Sequence, residues 1–117
     1  NVHWERILSD ILEQIPKNES FSYRVFDCGV MDLGDAVQVT PKTLNILEGS
    51  YSTHPELIGR YDLKIFLKTS PETQSARILK RNGPARHKMF VEKWIPLENL
   101  YFTSYPVEKQ CDLVFTT

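Results

Sequence analysis

The sequence predicts an α/β domain in which helices cover a largely parallel β-sheet. Three short apolar runs have the length of buried strands, namely Leu44–Leu47, Leu63–Leu67 and Leu113–Phe115. Helix-like segments separate these runs along the chain. Apolar strands that alternate with helices are typical of a parallel sheet buried on both faces. Ligands bind such sheets where the strands end, so the residues after each run are the first candidates for a functional site.

Size, charge and cysteine content narrow the class of protein. A chain of 117 residues forms at most one ordinary domain, and 41% hydrophobic with 25% charged residues is typical of a globular protein. The net charge of −1 excludes a general attraction to nucleic acids or anionic membranes. Cys28 and Cys111 lack the spacing of a zinc site or a disulfide scaffold, so both are expected as reduced thiols. No apolar run approaches the ~20 residues of a membrane helix. There is also no signal-peptide pattern, so the expected location is the cytoplasm.

The chain opens with a predicted amphipathic helix. Apolar residues recur every three or four positions, which is the spacing of one helix face. They are Ile7, Leu8, Ile11, Leu12 and Ile15. Asn1 is a suitable N-cap residue, and Pro16 ends the pattern. Because no initiator methionine precedes this helix, we expect the sequence to be a fragment, a processed chain or an excised segment.

Two strand-like segments, Ser22–Phe26 and Val37–Thr40, follow the first helix. The residues between them are rich in glycine and aspartate, so the pair predicts a hairpin or an irregular excursion with a turn from Gly29 to Asp35. Beyond the run Leu44–Leu47, a short helix is predicted around Pro55–Gly59.

The clearest helix start lies at Ser70–Glu72. Its serine is an N-cap residue, its proline suits the first helical position, and its glutamate complements the positive helix end. This helix is predicted to stop near Asn82-Gly83. A second helical stretch is predicted from about Arg86 to Tyr101, and Pro96 should kink or break it.

Glu48 is the first candidate functional residue. It follows a predicted buried strand and precedes Gly49, which lets a backbone approach a ligand closely. A carboxylate in that position reaches Mg²⁺ or the water around it. Alternatively, Glu48 ends the strand in a solvated turn, since a Glu-Gly pair is common.

The helix that starts at Ser70 carries a second candidate, a pair of cations. Arg77 and Arg81 are four residues apart and share one helix face. Two cations there suit a lid over transferring phosphates. Alternatively, Lys80 and Arg81 form a solvated basic end that complements the helix dipole.

The segment Tyr23–Cys28 is the third candidate. Asp27 can bind a substrate hydroxyl, and Tyr23 or Phe26 offers a face for stacking. Alternatively, the segment is an edge strand in which Asp27 begins a turn. His54 is expected to cap the short helix that follows it, and a substrate contact is the second interpretation.

Taken together and in order, these segments resemble the uridine kinase-like P-loop kinases of bacteria. The blocks that carry the resemblance span nearly the whole chain. They are Asn1–Arg6, Phe21–Cys28, Leu47–Pro55, Asp62–Leu67, Arg77–Gly83, Trp94–Glu98, Tyr101-Phe102 and Cys111–Val114. Each block is modest alone, whereas several in the same order are far rarer.

The resemblance implies a P-loop kinase-like parallel sheet with flanking helices, and phosphoryl transfer from ATP with Mg²⁺ to a hydroxyl of a nucleoside or similar small metabolite. It implies roles by position. The implied catalytic residues are Glu48, Arg77 and Arg81, and Glu48 would also lie near the metal. Lys80 would contact the cofactor. The residues implied on the acceptor side are Tyr23, Arg24, Asp27 and His54. Where nucleoside-specific members carry Tyr-Asp and then His, this chain has Phe26-Asp27 and then Met31. A different hydroxylated acceptor is therefore an open alternative.

The phosphate-binding part of the family pattern is missing from the sequence. No G-x-x-x-x-G-K-[ST] loop is present, nor the strand before it or the acidic residue expected to act as base after it. The resemblance places that strand between Leu44–Leu47 and Leu63–Leu67, so the implied sheet is incomplete. A separate N-terminal segment, closure of the two strands, or a second copy of the chain in a homodimer would complete it. The alternative function is a non-catalytic binding or regulatory module that kept the kinase fold.

Overall fold

The computed structural model describes residues 3–117, which belong to two compact units, residues 1–60 and 61–117. Each unit is described by itself, and the prediction of one domain over the whole chain stays a prediction. The mixed α/β class is confirmed, because both helices and two small sheets form. Asn1, predicted as a helix cap, lies outside the described residues. No helix within residues 3–117 combines the length and apolarity needed to cross a bilayer.

The first unit begins with the predicted amphipathic helix, which changes its width along its length. Helix α1 spans Trp4–Ile7 and continues directly as a π-helical segment, Leu8–Leu12. The wider turn appears as a hydrogen bond from the amide of Glu13 to the carbonyl of Leu8, 2.9 Å. A 3₁₀ turn at Ile15–Lys17 ends the helical region, and Leu12 of the π-helical segment is buried.

The predicted hairpin forms, with longer strands than expected. Strand β1 (Phe21–Asp27) pairs antiparallel with β2 (Asp32–Val39), so the turn shrinks to residues 28–31. Between Arg24 and Phe26 the register shifts, which leaves two residues of β2, Gly34 and Asp35, opposite one residue of β1. Both had been assigned to the turn, and the bulge explains why their composition resembles one.

The predicted strand Leu44–Leu47 is wrong. These residues are irregular, and Leu44 and Ile46 are 74% and 83% exposed. Residues 42–45 form a local loop instead. The Lys42 amide donates to Oδ1 of Asn45 at 3.0 Å, and Nδ2 of Asn45 donates to the Lys42 carbonyl at 2.8 Å. A strand is stable only beside another strand, and no strand of residues 3–117 pairs with this run.

The last part of the first unit is a series of turns. The carbonyl of His54 accepts hydrogen bonds from the amides of Leu57 and Ile58, 2.7 and 2.9 Å, and a 3₁₀ turn follows at Ile58–Arg60. Leu57 is completely buried, so it anchors these turns. The predicted helix around Pro55–Gly59 is therefore a set of tighter turns at nearly the same position.

The second unit contains the parallel pair that the sequence predicts. Strand β3 (Ile65–Lys68) lies beside β4 (Leu113–Thr116), with Ile65 opposite Leu113 and Lys68 opposite Thr116. The predicted runs are confirmed as strands to within one or two residues. The sheet is small, because it contains only these two strands among the described residues.

Lys64 and Asp112 fix the start of this parallel pair. The Asp112 carboxylate accepts a hydrogen bond from the Lys64 amide at 2.7 Å and lies 3.3 Å from the Lys64 ammonium. The Lys64 carbonyl in turn accepts from the amides of Asp112 and Leu113, 2.8 and 3.2 Å. The hydrogen bond from the Lys64 amide to the Asp112 carboxylate, followed by the contact with the Lys64 ammonium, favours the charged form of Asp112. Both interactions lower the pKa of Asp112 below its usual value.

The two faces of the small sheet differ. On one face Phe66 meets Phe102 edge to face, with ring centroids 5.4 Å apart. On the other face the side chains remain between 44% and 63% exposed. This bare face consists of Ile65, Leu67, Leu113 and Phe115. A sheet face of this kind is normally covered.

Helix α2 spans Pro71–Met89 and starts as predicted, because the Ser70 hydroxyl accepts a hydrogen bond from the Thr73 amide, 3.1 Å. It breaks at Gly83, where φ is 78° and ψ is 171°, so the predicted stop near Asn82-Gly83 is confirmed as a break between two helical segments. Ile78 is the one buried residue of α2.

The helical region beyond α2 is distorted near Pro96, as predicted. A π-helical segment, Phe90–Trp94, connects α2 with α3 (Ile95–Ser104). Proline has no amide hydrogen to continue a regular ladder, and a widened turn is a common way to accommodate it. Helix α4 (Val107–Gln110) then leads into β4, with Val107 buried.

We expect the Asp112→Asn variant to lower stability at neutral pH and to change its acid dependence. A depressed folded-state pKa contributes stability above the unfolded-state value, and that contribution is lost as pH falls through the folded-state value. The difference between wild type and variant should therefore be largest at pH 7 and shrink below about pH 4, the range of an ordinary aspartate. Urea midpoints at pH 7 and pH 3 measure it.

The matched control is Asp62→Asn, which removes an exposed carboxylate two residues before Lys64. It should change the midpoint little at either pH. An equal loss at pH 7 and pH 3 for Asp112→Asn would contradict a role for the ionised carboxylate.

Candidate functional site

Four residues meet where the two parallel strands end, and we call them the strand-end cluster: Lys68, Thr69, Arg77 and Thr117. The Thr69 hydroxyl donates to the Thr117 carbonyl at 3.0 Å, and the Thr117 hydroxyl lies 3.3 Å from the Lys68 carbonyl. Arg77 Nη1 donates to the Thr117 hydroxyl at 3.3 Å. The carboxyl ends of parallel strands are where ligands bind in α/β sheets, so this is the candidate site of the second unit.

The fold brings Arg77 to this place through the start of α2. The helix begins directly after β3, at the N-cap Ser70, and Arg77 lies two turns further along. Ile78, the neighbouring residue, is buried and anchors that turn. An arginine at this distance from the cap therefore lies beside the strand ends.

The Arg77 guanidinium is suited to an anion. Its side chain is exposed, and among residues 3–117 it forms no salt bridge with a carboxylate. A guanidinium has five N–H donors in a planar fork that matches phosphate and carboxylate oxygens. Its long contact with a neutral hydroxyl leaves most of that capacity for a ligand.

Arg81 and Lys80 do not join the cluster. Arg81 Nε donates to the side chain of its neighbour Asn82 at 2.9 Å, and both cations are exposed. The structure thus brings together Arg77 and the strand ends, while the implied roles of Arg81 in a lid and Lys80 on a cofactor stay predictions.

Lys68 is the member that sequence reasoning missed. Its ammonium lies 2.7 Å from the Glu108 carboxylate on α4, and both side chains are nearly half exposed. An exposed pair of this kind contributes about 0–1 kcal/mol, so it can exchange partners at small cost. The position of Lys68 at the end of the run Leu63–Leu67 was the available signal, because strand ends line such sites.

In the first unit, Glu48 lies in an exposed loop after the irregular residues 44–47. The turn that follows is closed by a hydrogen bond from the Ser52 amide to the Gly49 carbonyl, 3.1 Å. The predicted carboxylate at a strand end therefore has no strand before it, and its position matches the alternative of a solvated turn. Its role near Mg²⁺ stays a prediction.

Arg24, implied on the acceptor side, is engaged within the hairpin. Its Nε and Nη2 donate to the carbonyls of Gly34 and Leu33, 2.9 and 2.6 Å. Its own carbonyl accepts from Arg6 Nη2 at 2.7 Å. The guanidinium thus spans the bulge between the two strands, which is a structural task that the sequence pattern did not reveal.

Asp27 and Tyr23 also lie on β1. One Asp27 carboxylate oxygen accepts a hydrogen bond from the Gly29 amide at 2.7 Å, which is the geometry of a turn that Asp27 begins. Tyr23 is half-buried opposite Val37. Neither geometry tests a contact with an acceptor, so both roles stay predictions.

His54 caps the turns that follow it. Its Nδ1 accepts a hydrogen bond from the Glu56 amide at 3.2 Å, and its ring lies nearly parallel to Trp4, 5.8 Å away and 9° apart. The capping interpretation is supported by this geometry. A substrate contact of His54 stays a prediction.

A shallow groove of about 310 Å³ lies on the Phe66 face of the second unit. Its walls are Phe66, Phe102, Pro106, Val107, Glu108 and Lys109. In the same unit, burial and the neighbouring Tyr101 raise the pKa of Tyr61 to about 12. Burial also raises the pKa of the Cys111 thiol. Neither group is suited to acid–base chemistry at neutral pH, because catalytic groups titrate near the working pH.

The chain matches no protein-family model, and it has no significant match among the curated proteins.

We expect the Arg24→Lys variant to destabilise the first unit by about 1 kcal/mol, the usual net contribution of a hydrogen bond. Lysine keeps the charge but cannot donate to two carbonyls as a planar fork. Chemical denaturation followed by circular dichroism measures the change. The control is Arg60→Lys, whose only described ion pair is a 3.9 Å contact with Glu13, and which should cost less than about 0.5 kcal/mol. An unchanged stability for Arg24→Lys would instead leave Arg24 available for a ligand.

Proposed function

We propose that this chain supplies the acceptor side and the lid of an ATP-dependent small-molecule kinase of the uridine kinase type, with a P-loop kinase-like fold. The reaction is phosphoryl transfer to a hydroxyl of a nucleoside or a similar metabolite in the cytoplasm. The observation that carries the proposal is Arg77, an exposed guanidinium without a described carboxylate partner at the carboxyl ends of two parallel strands.

Arg77 supports this chemistry for an electrostatic reason. Charge on the transferred phosphoryl group is spread over its oxygens, and catalysis depends mainly on positioned cations and donors. An arginine held beside the strand ends by the start of α2 meets a phosphate without a large rearrangement of the sheet. The Lys68 ammonium provides a further donor at the same edge, whereas the hydroxyls of Thr69 and Thr117 already donate to backbone carbonyls.

The carboxylates of this chain suit Mg²⁺ that is already bound to nucleotide phosphates. Within residues 3–117, no three histidine, cysteine, aspartate or glutamate side chains are grouped to hold a metal ion. Mg²⁺ that arrives with nucleotide phosphates needs only one or two protein carboxylates. Exposed Glu48 suits that mode, and the bound ion would neutralise phosphate charge there.

The fit to ATP is partial. The sequence has no Gly-rich loop ending in Lys-Ser or Lys-Thr, which cradles the phosphates in kinases of this type. The basic residues Arg77, Lys80 and Arg81 suit the lid over the transferred group. In this proposal, the residues that bind the ATP phosphates, which we call the donor site, belong to a segment outside these 117 residues, either N-terminal sequence or another chain.

The acceptor remains defined only by class. Tyr23, Asp27 and His54 are the residues proposed to face it, and each also has an internal contact or a half-buried position in the hairpin unit. The change from the family's Tyr-Asp and His pattern to Phe26-Asp27 and Met31 favours a hydroxylated metabolite other than a nucleoside.

A non-catalytic binding or regulatory module is the second candidate. The absence of a phosphate-cradling loop from the sequence favours it. Such a module would bind a metabolite without turning over ATP.

We expect the 117-residue chain alone to bind ATP with Mg²⁺ too weakly for calorimetry and to show no ATP turnover. The donor site supplies most of the preorganised stabilisation of the phosphate charge. A longer form of the protein, expressed from the natural start of the reading frame, should bind ATP. Absence of binding by either form would contradict the kinase proposal and favour the non-catalytic module. Robust ATP turnover by the 117-residue chain would contradict the need for a further segment.

In the longer form, Arg77→Gln should lower kcat by about 10²–10³, the usual effect of removing one transition-state donor. Arg86→Gln, which removes an exposed arginine further along α2, is the matched control and should leave kcat nearly unchanged. An unchanged kcat for Arg77→Gln would remove Arg77 from the site.

A further inference from the structure

Helix α2 consists of two arms joined by a single residue. Gly83 adopts φ 78° and ψ 171°, a conformation that is essentially limited to glycine. Pro84 follows it, lacks an amide hydrogen and starts the second arm at a position that suits proline. The front arm, residues 71–82, and the rear arm, residues 84–89, are therefore separated by a break that the sequence itself encodes.

One side-chain hydrogen bond crosses this break directly. The Ser75 hydroxyl on the front arm lies 2.7 Å from Nε2 of His87 on the rear arm, and both side chains are half-buried. A second bond, from Gln74 Nε2 to Glu98 Oε2 at 3.1 Å, connects the front arm with α3. The hydroxyl both donates and accepts, so it can pair with Nε2 in either tautomer of the ring.

The segment around the break is strongly basic. Between Thr73 and Val91 there is no acidic residue. The same stretch carries the cations Arg77, Lys80, Arg81, Arg86 and Lys88. Like charges close together repel one another, so this segment needs contacts that hold it in one conformation.

We propose that Gly83 is a hinge and that the Ser75–His87 hydrogen bond is the clamp that fixes its angle. Opening the clamp frees the residues on both sides of Gly83, 79–89, which we call the basic elbow. The elbow can then change its direction, and its helical hydrogen bonds open more often. The inference does not depend on the kinase proposal, since it rests on the backbone break and the bond across it. A single glycine can serve as such a hinge because it absorbs large changes in φ and ψ.

The experiment is hydrogen exchange followed by mass spectrometry on the 117-residue chain. In Ser75→Ala, amides of residues 79–89 should exchange about fivefold faster, the factor that corresponds to loss of one hydrogen bond worth ~1 kcal/mol. Peptides that cover β3 and β4 should keep their wild-type rates. Ser75→Thr, which retains the hydroxyl, should restore slow exchange in the elbow.

Two further variants keep the test sharp. His87→Ala removes the other partner and should give the same local acceleration, with no additional effect in the double variant. Ser104→Ala removes a helical serine whose hydroxyl donates to the nearby Leu100 carbonyl at 2.7 Å, and it should leave the elbow unchanged. Wild-type exchange in both Ser75→Ala and His87→Ala would overturn the clamp, and so would uniform acceleration along the whole chain.

Discussion

The second unit depends on the parallel pairing of β3 and β4, and that pairing depends on contacts at its two ends. At the start, the Lys64 backbone and Asp112 exchange hydrogen bonds in both directions. At the end, Thr69 and Thr117 are hydrogen-bonded to each other. Two strands alone form a weak sheet, because each has only one neighbour. The contacts at both ends therefore set the register that places every other group of the unit.

The candidate site is a product of that register. Because the strands end together, the helix that leaves β3 starts beside the end of β4, and Arg77 reaches Thr117 two turns later. A shift by one residue would turn the side chains of one strand to the opposite face. It would also separate Thr69 from Thr117. The position of the guanidinium is thus determined by strand pairing 48 residues apart in sequence.

Sequence reasoning succeeded where the physical signal is local. Ser70 caps a helix and Gly83 breaks it because cap and backbone preferences involve only neighbouring residues. It failed at Leu44–Leu47, because a strand requires a partner that the run itself does not specify. The fork of Arg24 onto two carbonyls depends on a bulge whose register no local pattern reveals. In the site, the place of Arg77 was predictable by counting from the helix start. The pairing of Lys68 with Glu108 was not predictable, because it joins elements 40 residues apart in sequence.

The bare face of the small sheet has a consequence for the behaviour of the chain in solution. Four large apolar side chains lie side by side, on a sheet whose outer strand edges have no partner strand among residues 3–117. Such a surface favours association between molecules as concentration rises. Heating strengthens this tendency over the ordinary laboratory range, because the hydrophobic effect weakens on cooling. Colloidal solubility, rather than the free energy of unfolding, is therefore the property that limits the concentration at which this chain stays dispersed.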